Sequence, residues 1–276
     1  MLFIKNLFDF YIKSSFHIGI CVVSLYLVSI FKLHIDVNYY ILICVFSSTI
    51  VVYNFIKYAS TLPYYFFVQN APIKKIQILS FIIGFFLLYS LFFLSVKALF
   101  FGLFLFLICV LYVFPINNSI SNFRNRSSIK IFLVAICWSG STVILPFIES
   151  NRIDYNYSMI LLLFVQFFLF VIVSTIPFEI RDLKYDPNDL KTIPQVFGIN
   201  KSKYFSYLLI FIFLSISFTI NGRSIDLISD LLISFVLIFI IYLTKENQTK
   251  YFSSFWVESL PIYWLIIEFI LFNRIV

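Results

Sequence analysis

Seven stretches of 18 or more residues contain no Asp, Glu, Lys or Arg: 14–31, 37–56, 76–96, 98–123, 131–148, 155–178 and 204–222. An α-helix needs about 20 apolar residues to cross the hydrocarbon of a bilayer. A membrane barrel would instead show alternating segments of about ten residues, so unbroken runs of this length point to helices. Two further apolar stretches carry acids, 225–243 with Asp226 and Asp230, and 253–273 with Glu258 and Glu268. The expectation is an all-α integral membrane protein of nine transmembrane helices in one polytopic domain, 1–276. The spans fall at approximately 14–33, 39–58, 77–96, 98–116, 131–148, 157–178, 204–221, 225–243 and 254–273.

Composition closes off the alternatives. The chain is 62% hydrophobic and 12% charged, with a mean hydropathy of +1.00. A water-soluble domain carries about a quarter charged residues, so a soluble enzyme, a disordered chain and a disulfide-stapled secreted domain are excluded. The net charge of +7 is spread between apolar blocks. That pattern fits topology signals and contacts with anionic lipid headgroups, with no nucleic-acid partner. Cys21, Cys44, Cys109 and Cys137 lie within apolar runs without a CxxC pair and read as small buried hydrophobes. His17 and His34, near opposite ends of the first apolar segment, read as structural or interfacial rather than zinc ligands. The first 15 residues carry Lys5, Asp9 and Lys13, and the span after them is too long for a signal-peptide core, so it should be retained as a helix.

Nine spans starting from the cytoplasm place 15 of the 20 basic residues inside, among them Lys57, Lys74, Lys75, Arg124, Arg126, Lys130, Arg181, Lys184 and Lys191. Each external loop or tail receives one: Lys32, Lys97, Arg152, Arg223 and Arg274. This follows the positive-inside rule. The N-terminus is expected in the cytoplasm and the C-terminus outside, in a bacterial inner membrane.

The densest polar segment follows the sixth span and runs from Pro177 to Gly198, with six charges between Glu179 and Asp189. Asp182 and Asp186 are four apart and would stack on one face of a continuing helix. Two carboxylates so placed suit a shared divalent cation; Mg²⁺ takes one or two carboxylates plus substrate phosphates. Arg181, Lys184 and Lys191 would then share the phosphate charge. The alternative is plain ion pairing on a wet loop.

Read as RDxxxDxxxxxKTxPxxxG, this segment resembles the second aspartate-rich motif of the UbiA-type intramembrane prenyltransferase superfamily. The matching residues are Arg181, Asp182, Asp186, Lys191, Thr192, Pro194 and Gly198. The expected topology is the family's, and Leu111, Tyr112 and Pro115 through Arg124, Arg126 and Lys130 look like its fourth connection. The resemblance implies nine helices around a lipid-accessible cavity. It also implies transfer of an isoprenyl group from a prenyl diphosphate, held through Mg²⁺ by Asp182 and Asp186, to a lipid-soluble acceptor. Aromatic faces would shelter the carbocation left when diphosphate departs. The 38 Phe residues are not credited to that role, because most must face lipid or pack between helices.

The first motif of the family, NDxxDxxxD, meets a different sequence here. Asn54 matches, but the three acidic positions hold Phe55, Tyr58 and Leu62, and Lys57 sits among them. No acid occurs between Asp36 and Glu149. Asn54, Lys57, Lys130, Arg181 and Lys191 are therefore the candidate diphosphate contacts, with Asp182 and Asp186 as catalytic and metal-binding residues. The second reading is a silent relative that binds a prenyl lipid or quinone, or acts as a partner subunit. A transporter is a third, weakened because span interiors are nearly free of ionisable groups. Gln166 reads as an interhelical hydrogen bond, Asp226 and Asp230 as flanking a helix start, and Glu258 and Glu268 as lying near opposite membrane faces.

Overall fold

The computed structural model describes residues 2–58, 71–113, 129–150, 156–187, 190–220 and 224–273. Leu62, Pro115, Arg124, Arg126 and Asp189 lie outside them. Among the described residues the chain is helical throughout and has no strand. The helices are α1 (Leu2–Lys13), α2 (Phe16–Leu33), α3 (Tyr39–Tyr58), α4 (Ala71–Leu91), α5 (Val96–Val113) and α6 (Ile129–Ser139). After them come α7 (Leu145–Glu149), α8 (Tyr157–Asp182), α9 (Ile193–Ile220), α10 (Ser224–Leu243) and α11 (Leu260–Asn273).

Two π-helical segments interrupt this pattern. Gly140–Ile144 joins α6 to α7, and Phe252–Val257 leads into α11. Counting each as part of one rod, eight helices among the described residues are long and apolar enough to cross a membrane; α5 is apolar but shorter. This is a multi-pass integral membrane protein. α1 precedes the first rod and is tied down by polar contacts. Asp9 accepts from Lys250 Nζ at 2.8 Å and from the Tyr251 hydroxyl at 2.5 Å. Those two donors hold the Asp9 carboxyl below its ordinary value of 3.8, and Asp9 in turn raises the Lys250 ammonium.

Neighbours in sequence are mostly neighbours in space. α2 packs on α3 and α3 on α4; α8 packs on α9, α9 on α10 and α10 on α11. α11 returns to α2, and α6 packs on α8. α2 and α8 are the most buried rods, whereas α4, α9 and α5 turn many large apolar side chains outward, Phe85, Phe86, Phe100 and Phe211 among them. In lipid that exposure is the favoured state. At the centre Trp264 is fully buried, with the rings of Phe170, Phe167 and Phe213 at 4.8, 5.0 and 5.6 Å.

The interior is more charged than the sequence suggests. Asp230 does more than flank a helix start: it accepts from Lys32 Nζ at 2.7 Å, from Gln166 Nε2 at 2.9 Å and from the Ser217 hydroxyl at 2.5 Å. Glu268 lies 3.5 Å from the same ammonium. Gln166 is thus the interhelical hydrogen bond expected of it. His17, fully buried, is structural as read: Tyr11 Oη lies 2.8 Å from Nδ1, and the Phe255 carbonyl and Ser259 Oγ each lie 3.2 Å from Nε2. All four cysteines are free, although Cys109 and Cys137 bring their sulfurs to 3.7 Å.

Candidate active site

The expected acidic pair lies where α8 runs out. α8 ends at Asp182 and does not continue as a helix through Asp186. The chain turns there, yet the Asp186 N–H still donates to the Asp182 carbonyl at 2.8 Å, so one further turn places Asp186 beyond Asp182. Arg181 grips its neighbour Asp182 with both nitrogens, Nε at 2.7 Å and Nη2 at 3.1 Å, and lies 5.2 Å from the Phe178 ring. The two charged side chains keep 32% and 24% of their exposure. A pair that open to water is held by at most about 1 kcal/mol, so Asp182 can be released to another cation.

The KTxP segment has a local structural reason. Thr192 precedes α9, and its N–H donates to Gln195 Oε1 at 3.0 Å, half of a capping box. Pro194 occupies the second helical position, where no N–H is required. Gly198 then breaks the rod at φ 79° and ψ 165°, a conformation open essentially to glycine alone. Lys191, at φ 47°, turns the chain into this start and is exposed.

Beneath Asp182 lies a cavity of about 210 Å³. Tyr53, Trp138, Phe170 and Phe178 give it aromatic walls, and Lys130, Glu179, Asp182 and Glu258 supply its charge. Trp138 donates to the Tyr53 hydroxyl at 2.9 Å, which fixes both rings. The π-helical segments adjoin it, one beginning just after Trp138 and the other ending just before Glu258. Such irregular turns recur where a helix must present particular side chains.

Of the residues expected at the site, Asp182 and Lys130 line this cavity, with Arg181 bound to Asp182. Asp186 and Lys191 stand outside its wall. Lys57 donates to Ser15 Oγ at 3.0 Å and, together with Arg181, acts electrostatically on Glu258. The end of α3 therefore brings a cation where the acidic motif would have brought carboxylates, and Glu258, at the end of the π-helical segment before α11, supplies the neighbouring acid. Asn54 is fully buried and turned toward α4, with Nδ2 on Ser80 Oγ at 2.9 Å; it does not line the cavity. Two acids of the site were not singled out from the sequence. Glu179, three residues before Asp182 and so on the same helical face, was legible; Glu258 was not, because its partners come from other helices.

No group of three His, Cys, Asp or Glu side chains is gathered for a metal among the described residues. The described residues thus offer no preassembled metal centre. A cation arriving with phosphate oxygens does fit, since Mg²⁺ needs only one or two protein carboxylates and Asp182 and Asp186 offer two on successive turns.

No family model matches the chain, and no curated protein matches it. Solved structures do. A UbiA homolog from Archaeoglobus fulgidus, bound to DMAPP and Mg²⁺, superposes with a TM-score of 0.65 at 12% identity, covering 96% of this chain and 99% of its own. The apo UbiA homolog from Aeropyrum pernix K1 gives 0.63 at 12% identity over 94% and 97%. Digeranylgeranylglyceryl phosphate synthase gives 0.56 at 16% identity over 96% and 98%. Across almost its whole length, this chain carries the UbiA fold.

Proposed function

We propose that this protein transfers an isoprenyl group from a prenyl diphosphate to a lipid-soluble acceptor, with the diphosphate seated at the end of α8. The observation that carries this reading is the position of Asp182, at the edge of an aromatic-walled cavity that Lys130 shares. A UbiA homolog of the same fold binds DMAPP and Mg²⁺. Mg²⁺ would be held by Asp182 and Asp186 and would offset the charge that grows on the departing diphosphate. Lys130, Arg181 and Lys57 contribute positive potential to the mouth, and Lys191 extends it toward α9. Tyr53, Trp138, Phe170 and Phe178 present ring faces to an allylic cation and keep bulk water away from it.

The test is release of diphosphate from labelled prenyl diphosphates by purified protein in detergent, with and without Mg²⁺. Metal-dependent release that is lost in Asp182→Ala and in Asp186→Ala supports the transferase. A second reading, a silent binder of prenyl lipid, draws on the missing acids of α3 and on the hydrogen bond that Lys57 gives to Ser15, with Glu258 acting on it electrostatically. Prenyl-lipid binding without release from any donor would favour it.

A further inference from the structure

The helix that precedes the first rod carries a surface the bundle does not use. Two residues, Ser14 and Ser15, separate α1 from α2, a reach of at most about 7 Å, so α1 lies at the level where α2 enters the hydrocarbon. Ser15, at φ 59°, breaks the axis between them, and α1 runs to the foot of the last rod instead. There the Phe8 ring lies 5.1 Å from that of Tyr251 and 5.2 Å from that of Phe255. These contacts, with those of Asp9 and Tyr11, fix the second half of the helix. Its first two turns project: Ile4 keeps 71% and Leu7 60% of their exposure, three apart on one face. Lys5 and Lys13 are exposed too, and the one acid of α1, Asp9, is already taken by Lys250.

Apolar side chains exposed beside basic ones, at the boundary of a bilayer, say what covers them. Aliphatic side chains gain by entering the acyl region, and lysine stems reach back from it to the headgroup phosphates. A neutral headgroup layer would give the lysines little, whereas an anionic one attracts each of them. We propose that α1 is a membrane-surface anchor for anionic phospholipid, with Ile4 and Leu7 among the acyl chains and Lys5 and Lys13 on the headgroup phosphates. The seat of the anchor gives this contact a consequence. Tyr11 Oη lies 2.8 Å from His17 Nδ1, and His17 Nε2 lies 3.2 Å from both the Phe255 carbonyl and Ser259 Oγ, on either side of Glu258. The chain just before this segment is tied to α8 by Gln248, whose Nε2 donates to the Pro177 carbonyl at 2.9 Å. Lipid that holds α1 down therefore also steadies residues 252–259, through which Glu258 enters the cavity wall.

Hydrogen exchange of the full chain in lipid nanodiscs tests this, comparing phosphatidylcholine alone with a mixture containing about one-third phosphatidylglycerol. In wild type at low salt, exchange of residues 2–13 should slow in the anionic discs by about fivefold for each lysine at the surface. Residues 252–259 should slow with them. Raising the salt should shrink the effect. Lys5→Gln combined with Lys13→Gln should erase the lipid difference, whereas Ile4→Ser combined with Leu7→Ser should speed exchange of α1 in both lipids. Equal exchange of wild-type α1 in the two lipids, or a difference that survives loss of both lysines, overturns the proposal. So does protection that follows the number of copies per disc rather than the lipid, which would assign this face to a second copy of the chain. A response of α1 with none at residues 252–259 overturns the link to the cavity wall.

Discussion

Lys32 of α2 and Asp230 of α10, 198 residues apart in sequence, form a 2.7 Å ion pair whose side chains keep 3% and 0% of their exposure. The ammonium also lies 5.4 Å from the Trp264 ring of α11 and 3.5 Å from Glu268. Three rods are thereby joined at the opposite end of the bundle from Asp182. A charge pair inside a membrane protein persists only when each partner is compensated, because neither lipid nor packed side chains can solvate it.

Removing one member should therefore cost more than removing both. Lys32→Met leaves Asp230 and Glu268 without their cation, and a destabilisation of about 3–5 kcal/mol is expected. Lys32→Met combined with Asp230→Asn should recover much of that loss. Thermal unfolding in detergent measures both; equal stability of wild type and Lys32→Met would show the pair to be inert.

Gly198 offers a cleaner backbone test. A Cβ built there meets nothing within 4 Å, so Gly198→Ala changes only the conformational cost at φ +79°. That cost is about 1–3 kcal/mol. The expected result is a lower melting temperature together with weaker diphosphate binding, since the break orients the start of α9 beside Glu179. Unchanged stability would mean that the rod straightens without penalty.

Glu258 competes with any anion for the positive potential of Lys57 and Arg181. Glu258→Gln should tighten binding of inorganic pyrophosphate by about five- to tenfold, about 1 kcal/mol or slightly more. The gain should shrink as salt is raised. Calorimetric titration at two ionic strengths reads both effects, and weaker binding in the variant would place Glu258 on the side of binding instead.

The anchoring of α1 should depend on pH in a defined direction. Asp9 is held below its ordinary value of 3.8 by hydrogen bonds from Lys250 and Tyr251, so its contribution is complete above that value. It is lost as the pH falls through the lowered one. Lys250, raised above 10.5, contributes below that value and stops doing so as the pH rises through its own. Hydrogen exchange of α1 in wild type and Asp9→Asn should differ between these limits and converge in acid; a difference persisting at the lowest pH would contradict the assignment.

The spans were legible because lipid constrains every residue in a window at once. Expected limits of 39–58 and 225–243 meet α3 at Tyr39–Tyr58 and α10 at Ser224–Leu243. The acids at the end of the sixth span were legible for a related reason: charge in an apolar chain has few places to sit. Which way a rod turns its faces was not legible. Spans such as α4, α5 and α8 are apolar all round, so no polar stripe marks an inward side. Packing against neighbours alone decides that Asn54 meets Ser80, that Lys57 meets Ser15 and that Lys32 meets Asp230. Composition thus determined that the chain lives in a bilayer, although α4 and α9 begin six and eleven residues before the expected 77 and 204. Only the bundle decided which buried charges would find one another, because such pairs bridge helices far apart in sequence.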